Sequence, residues 1–284
     1  MSDLLRALFG TGRPVIAMLH AGALPGRPRH DRDQGLEHIR DALARDLDVL
    51  QRAGVDGLLF CNEADLPYQL RTGPEVASAM AALIGDLRAG IDRPFGVDVV
   101  WDPAASLAVA RATGASFVRE VVTGVYESDL GVMQPSFGTI KAGQAAMAAG
   151  NIKIFANITP EFASPLGHRK TSRPITQRAR SAAYLGVDAL LITGPITGSP
   201  TDLAGLRAVR AAVPDTPVLA STGVTVDTVH ETLQKADGVI VGTHLKRDGV
   251  TWNPVDEARA TAFMTAAVSA RTTENKDGGL KTHG

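Results

Sequence analysis

Short apolar runs alternate with Ala-, Leu- and Arg-rich stretches of helical period along nearly the whole chain, and this alternation restricts the fold more than any other feature. Apolar runs too short for helices, each followed by an amphipathic stretch, predict parallel strands covered by helices. The strand runs are Val15–His20, Gly57–Asn62, Phe95–Val100, Phe117–Val122, Ile152–Ile158, Ala189–Thr193, Val218–Ser221 and Val239–Val241. A helical stretch follows each, the last being Pro254–Ala270. Before three of the strands stand Gly54-Val55-Asp56, Gly114-Ala115-Ser116 and Gly186-Val187-Asp188. In each the glycine ends a helix with a left-handed cap and the next residues enter a strand. An open doubly wound sheet uses the same units, but no early Gly-x-Gly-x-x-Gly fingerprint is present. The expected class is therefore α/β, a single-domain (β/α)8 or TIM barrel over residues 1–272. The polar, glycine-containing residues 273–284 are expected to form a disordered tail.

Composition narrows the function. With 284 residues, 44% hydrophobic and 21% charged, the chain can bury a sizeable core. Its net charge of −1 and lack of a basic block argue against a nucleic-acid partner. One cysteine makes no internal disulfide and no Cys-rich metal site. The N-terminal Met1-Ser2-Asp3-Leu4-Leu5-Arg6 lacks the apolar stretch of a secretory signal, and no run reaches the roughly 18 residues of a transmembrane span. A cytoplasmic protein is expected, and a barrel of this size is expected to assemble as a homo-oligomer.

Active sites of such barrels lie at the C-terminal ends of the strands, where phosphate is often held by the last two βα turns. Here those turns read Ser221-Thr222-Gly223-Val224 and Gly242-Thr243-His244-Leu245-Lys246. Glycine allows close backbone approach, and hydroxyls with free N–H groups at a helix start supply donors. Ser221, Thr222, Gly223, Gly242 and Thr243 are thus the expected phosphate-binding residues, for a small phosphorylated or anionic ligand. A third loop, Thr193-Gly194-Pro195-Ile196-Thr197-Gly198-Ser199-Pro200-Thr201, is expected to line the pocket beside this cup through Thr193 and Thr197. Thr201 with Asp202 reads as a helix N-cap.

The other strand ends bring chemistry-bearing side chains to the mouth. His20 is a general acid/base, a metal ligand or simply a hydrogen-bonded, half-buried residue. The loop Ala23-Leu24-Pro25-Gly26-Arg27-Pro28 is expected to fold over the mouth as a partial lid. Asn62, Glu63 and Asp65 suit polyol hydroxyls, and Glu63 also suits a base. Period-two alternation puts Asp98, Val100 and Asp102 on one face, both acids pointing inward. Arg119 and Glu120 face opposite ways, and an inward Arg119 pairs well with Asp98. Lys153 offers a Schiff-base amine but sits at the strand's beginning, where snorkelling to solvent is the better reading. Asn157 is at the productive end. His168, Arg169 and Lys170 lie in a long loop and either close over an anion or are solvated charge. The catalytic candidates are His20, Glu63, Asp98 and Asn157, with Asn62 and Arg119 for substrate binding. No His-x-His, His-Glu-x-x-His or Cys cluster appears. No cofactor is required, although a loosely held divalent ion among Asp98, Asp102, Glu63 and His20 is compatible with the spacing.

Together these motifs resemble the BtpA/SgcQ family. The resemblance is densest between Gly186 and Met264, through Asp188-Ala189-Leu190-Leu191-Ile192-Thr193-Gly194, Thr197-Gly198, Ser221-Thr222-Gly223-Val224, Ala236-Asp237-Gly238-Val239-Ile240-Val241-Gly242-Thr243, Lys246, Asp248-Gly249 and Asn253-Pro254-Val255-Asp256. Met18-Leu19-His20, Leu24-Pro25-Gly26, Gly54-Val55-Asp56-Gly57, Asn62, Asp65, Pro67, Phe117-Val118-Arg119 and Thr123-Gly124 extend it over nearly the whole chain. It implies a (β/α)8 barrel and suggests a sugar-phosphate-like ligand, since members are similar to parts of sugar or nucleoside catabolic clusters. The member that names the family is linked to photosystem I biogenesis, which implies a non-catalytic assembly factor or ligand-binding barrel as the rival role. The chain departs from the family pattern at three strand ends. Cys61-Asn62 replaces Glu-Asn, Trp101-Asp102-Pro103 replaces Arg-Asn-Asp, and Asn157-Ile158-Thr159-Pro160-Glu161 replaces Asp followed by Lys-His. An altered substrate, or loss of the parent activity, is what those departures imply. The expected function is an enzyme on a phosphorylated sugar or nucleoside-derived metabolite, of isomerase, aldolase/lyase or hydrolase type.

Overall fold

Each expected strand forms, and the eight close into one parallel barrel in a computed structural model that describes residues 3–167 and 172–277. The chain begins α1 (Asp3–Phe9), β1 (Val15–His20), α2 (Gly35–Arg52), β2 (Gly57–Cys61), α3 (Pro74–Leu87), β3 (Phe95–Asp98), α4 (Pro103–Thr113) and β4 (Phe117–Glu120). It continues through β5 (Tyr126–Ser128), β6 (Gly131–Met133), α5 (Phe137–Ala146), β7 (Lys153–Asn157), β8 (Ala163–Pro165), α6 (Ile175–Tyr184) and β9 (Ala189–Ile192). The last elements are α7 (Leu203–Ala212), β10 (Val218–Ser221), α8 (Val229–Lys235), β11 (Val239–Val241) and α9 (Glu257–Asp277). Around the barrel the order is β1-β2-β3-β4-β7-β9-β10-β11, with β11 pairing back to β1.

Alternation along the strands explains the interior. Ile16, Leu59, Phe117, Phe155, Ala189, Leu191, Leu219 and Ile240 pack together inside the barrel, while the intervening residues meet the helices. Phe117 and Phe155 stack at 4.7 Å between ring centroids. They fit because Gly96 opposite has no side chain: a Cβ there would lie 2.4 Å from the Phe117 ring. Leu5 and Phe9 of α1 join this cluster, Phe9 meeting Phe117 edge-on at 5.6 Å. The three Gly turns behave as the sequence indicates, with φ of +81° at Gly54, +77° at Gly114 and +90° at Gly186. The aspartates that follow brace the barrel: Asp56 accepts from Val15 N–H at 2.7 Å and Asp188 from Ile154 N–H at 2.9 Å.

Several expectations need correction. The strands are shorter at their ends than the apolar runs, because Asn62, Val99, Val121 and Thr193 already belong to βα turns. Asp102 does not point into the barrel with Asp98. It caps α4, accepting from Ala105 N–H at 3.1 Å, and also accepts from Thr72 N–H at 2.8 Å. The residue that caps α7 is Asp202, which bonds the N–H groups of Ala204 and Gly205, whereas the Thr201 hydroxyl donates to the Thr222 carbonyl at 2.8 Å. A small antiparallel sheet of β6, β5 and β8 stands beside the eight expected strands; its runs are too short to show periodicity in the sequence. α9 continues to Asp277, so the helix passes the expected start of the tail; residues 278–284 lie outside the described residues, as do His168, Arg169 and Lys170.

Candidate active site at the barrel mouth

One position beyond the packed interior layer, the same alternation turns the strand-end residues inward. His20 registers beside Cys61, and Cys61 beside Asp98, across β1, β2 and β3. Arg119 follows Phe117 on β4, Asn157 follows Phe155 on β7, and Ser221 follows Leu219 on β10. The apolar interior thus ends in a polar layer at the C-terminal mouth, where barrel active sites lie.

On one side of the mouth is a cavity of about 210 Å³ formed by the turns after β10 and β11. Ser221, Thr222, Gly223, Gly242 and Thr243 all line it, joined by Thr197 and Gly198 from the loop after β9. Gly223 has φ +62°, and a Cβ there would lie 2.1 Å from the Ser199 carbonyl oxygen, so the Gly194–Thr201 loop passes directly over this turn. Thr222 adopts φ +124° and its hydroxyl accepts from Gly194 N–H at 2.6 Å. The missing side chain at Gly223 lets the two loops approach this closely beside the cavity. The N–H groups of Gly223, Val224, Thr243 and His244 make no hydrogen bond to protein among the described residues. His244 ties the two turns together, its Nε2 accepting from Val226 N–H at 3.1 Å. Burial first, then the Arg259 charge, lowers its pKa and keeps that nitrogen an acceptor.

On the other side is a polar cluster around Arg119. Its Nη1 donates to Asp98 at 2.6 Å and its Nη2 to Glu161 at 2.8 Å. Asn157 Nδ2 donates to the other Glu161 oxygen at 3.1 Å. Burial opposes the Arg119 charge, but Glu161 and Asp98 outweigh it and hold the guanidinium protonated. Burial raises Asp98 to about 6 in spite of that cation, with the charges of Glu63 and Glu161 adding to the rise. Burial likewise raises Glu161. Glu63, 7% exposed, accepts from the Tyr68 hydroxyl at 3.1 Å, the Thr197 hydroxyl at 3.3 Å and the Cys61 thiol at 3.5 Å. His20 stands over the cup side, where a Cβ on Gly242 would lie 2.7 Å from its Cε1. Burial, then the Lys246 and Arg119 charges, push its pKa well down, so the imidazole is neutral at neutral pH.

Of the candidates from sequence, His20, Glu63, Asp98, Arg119, Asn157 and Thr197 converge with the five cup residues on this mouth. Asn62 and Thr193 stand apart from it. Asn62 donates to Asp65 at 2.8 Å and accepts from Val100 N–H at 2.8 Å, bracing the loops after β2 and β3. Thr193 exchanges hydrogen bonds with Thr159, its N–H donating to the Thr159 hydroxyl at 2.7 Å, and lines a separate cleft with Tyr126 and Arg178. The first loop is stitched to the second rather than closed over the mouth: Arg27 donates to the Pro67 carbonyl at 2.7 Å, and Leu24 N–H to Asp65 at 2.8 Å. Lys153 lies at the opposite end, 3.4 Å from Asp188. Lys246 is 2% exposed and paired with Asp46 at 2.6 Å, away from the cavity. The ion site conceived among Asp98, Asp102, Glu63 and His20 is not assembled, since Asp102 serves as a cap; among the described residues no group of three or more His, Cys, Asp or Glu could hold a metal. Sequence reasoning missed Glu161, Tyr68 and Trp101, which reach the mouth from loops. For Glu161 the one clue was its place four residues beyond Asn157, where the family pattern is already broken.

Fold and site together define a single-domain (β/α)8 barrel with a polar mouth and a small cup at its last two turns. The chain belongs to the BtpA family, whose model matches residues 11–269. It is 45% identical to the putative sgc region protein SgcQ of Escherichia coli (strain K12), over 92% of this chain and 96% of that protein. It is 30% identical to the photosystem I biogenesis protein BtpA of Synechocystis sp., over 91% of this chain and 89% of that protein. Among solved structures, it is similar to (S)-3-O-geranylgeranylglyceryl phosphate synthase from Thermoplasma acidophilum in complex with sn-glycerol-1-phosphate. That match has a TM-score of 0.60 at 17% identity and covers 94% of this chain and 98% of the other; the likeness is one of fold. No helix among the described residues is long and apolar enough to cross a membrane.

Proposed function

We propose that the protein is an enzyme acting on a phosphorylated sugar or nucleoside-derived metabolite, with proton transfer between side chains and substrate as its chemistry. The observation that carries this reading is the joining of the two halves of the mouth: Glu63, Arg119, Glu161 and Thr197 line both the cup cavity and the polar cluster. A phosphate among Ser221, Thr222, Gly223, Gly242 and Thr243 would meet backbone N–H donors suited to an anion. The remainder of the molecule would then lie over Glu63. Glu63 is the base in this reading, the neutral His20 imidazole an acid/base partner, and Asn157, Asp98 and Arg119 fix hydroxyl or carbonyl groups. Lys153 and Lys246 are both committed elsewhere, so neither supplies a catalytic amine in this reading.

The test is a panel of sugar phosphates and nucleoside-derived phosphates, read first by melting temperature and then by NMR for turnover in D2O. At least one should stabilise the wild type, and Gly223→Asp or Gly242→Asp should abolish that shift by placing a carboxylate in the cup. Glu63→Gln should retain the shift and lose turnover. Indifference to every anion would refute the reading and favour a non-catalytic role, the sense in which the Synechocystis relative is named.

A further inference from the structure

Beside Glu63, the polar half of the mouth contains a pocket of about 20 Å³, room for one oxygen-sized group. Two residues that line it carry buried donors without partners, Arg119 Nε and Trp101 Nε1. Native interiors seldom leave such atoms unpaired, and two beside one small space call for a common partner. Both are obligate donors, the guanidinium Nε–H and the indole N–H. Glu120, the next residue on β4, faces the opposite way, toward α4, where it accepts from the Ser106 hydroxyl at 2.6 Å.

The arrangement is braced. The two Nη groups of Arg119 are taken by Asp98 and Glu161, leaving Nε as the free edge of the guanidinium. Ser106 donates to Glu120 and also accepts from Val99 N–H at 2.6 Å. Trp101 sits at φ +70°, a left-handed conformation that a bulky residue adopts only when its surroundings impose it. Its side chain packs against the small cluster of Val121, Tyr126 and Met133, which joins it to the β5–β6–β8 sheet. The carboxylates of Glu63, Asp98 and Glu161 also line the pocket; Arg119 Nη1 and Nη2 hold Asp98 and Glu161, which leaves Glu63 as the acceptor not bound to the guanidinium.

We infer that Arg119 Nε and Trp101 Nε1 form a carbonyl-oxygen subsite, so that the substrate is an open-chain aldo or keto compound phosphorylated at its far end. This rests on the reading of the cup as the phosphate site. A carbonyl oxygen held here would have its neighbouring carbon beside Glu63. Glu63 would take a proton from that carbon, the C–H pair would form a C=C bond, and the carbonyl π pair would move onto the oxygen. Arg119 Nε and Trp101 Nε1 would then stabilise that oxyanion, as in other donor-lined sites. Return of the proton to the former carbonyl carbon, while the hydroxyl proton on the neighbouring carbon passes to the oxyanion and a new C=O bond forms there, completes an aldose–ketose isomerisation with no change in overall composition and no co-reactant.

The probes are inorganic phosphate and matched pairs of three to five carbons, each a keto sugar phosphate against its reduced polyol phosphate. Ribulose 5-phosphate against ribitol 5-phosphate is the longest pair. Calorimetric titration of the wild type should show at least one keto form bound about tenfold or more tightly than its polyol. Trp101→Phe should cut that ratio at least threefold while leaving the affinities for inorganic phosphate and the polyol phosphate unchanged, and Glu120→Gln, on the other face of β4, should leave the ratio unchanged. The unchanged phosphate arm also establishes that both variants are folded. Equal binding of every pair, or a ratio that survives in Trp101→Phe, overturns the subsite while leaving the cup intact. Failure of inorganic phosphate and of every probe to bind refutes the cup itself and takes the subsite with it.

Discussion

Arg119 and Glu161 meet at 2.8 Å across the barrel mouth, a β4 side chain joined to the loop after β7. Both are nearly sequestered, at 9% and 5% exposure, and Asp98 holds the opposite edge of the same guanidinium. Removing one member of a buried charge network costs more than the network contributes, because its partners stay buried and unpaired. Arg119→Met should therefore lower unfolding stability by about 3 kcal/mol or more at neutral pH, measured by urea titration. The loss should shrink as pH falls through about 6, where Asp98 escapes by protonation, and Glu161, also raised by burial, follows. Arg119→Lys keeps the charge but lacks the planar fork that spans two carboxylates, so it should fall between. A cost under about 1 kcal/mol for Arg119→Met would contradict the network.

The two strand-end groups His20 and Asp98 should make opposite contributions to the pH dependence of stability. Asp98 is raised to about 6 by burial, so the folded state holds its proton where the unfolded state has released it. Its contribution is fully present below the ordinary aspartate range and is lost as pH rises to about 6, by on the order of 2–3 kcal/mol. Asp98→Asn should flatten that fall. His20 is pushed well down, so it destabilises the fold as pH drops below the ordinary histidine value of about 6.5. His20→Gln should remove this second slope. Denaturation curves from pH 4 to 8 on the three proteins measure both, and an unchanged profile in either variant would reject its assignment.

Gly242 and His20 are coupled sterically. A methyl at Gly242 would fall 2.7 Å from His20 Cε1, so Gly242→Ala should displace the ring rather than close the cup. We expect phosphate affinity to change by less than about fivefold, while the His20 imidazole resonances shift and its pKa rises toward the ordinary value. Gly223→Ala should do the reverse. Its methyl collides with the Ser199 carbonyl, at a φ that alanine tolerates poorly, so anion affinity should fall more than tenfold with His20 unmoved.

Lys246 lies in the turn after β11 but belongs to a different structure. Its ammonium is buried against Asp46 of α2, and Asp46 also accepts from Val255 N–H at 2.8 Å. Lys246→Met should cost about 3–5 kcal/mol of stability by stranding Asp46, and the double variant with Asp46→Leu should recover much of it. Anion binding by the double variant should stay within about threefold of wild type. A selective loss of anion binding without loss of stability would return Lys246 to the site.

Much of this was readable from the sequence, for physical reasons that particular residues make plain. Strands such as Val15–His20 and Val239–Val241 are short apolar runs between turn glycines, so burial alone defines them, and period two then turns His20, Asp98, Arg119, Asn157 and Ser221 inward. The Asp98–Arg119 pair follows from the cost of burying either charge alone. Alternation misled at Asp102, because the strand had ended and a helix N-terminus claimed the carboxylate. Glu161 and Trp101 were illegible, since each reaches the mouth through an irregular loop whose path depends on tertiary contacts. Thr193 shows the converse: it lies at a strand end, but its hydroxyl is consumed by the Thr159 carbonyl.

The most direct test of the central claim is a crystal structure of the protein soaked with a pentose 5-phosphate. The phosphate should occupy the cup, within hydrogen-bonding distance of the Gly223 and Thr243 N–H groups, with the carbon chain running toward Glu63. A phosphate bound at another surface, or a cup left unoccupied at saturating ligand, would contradict the account.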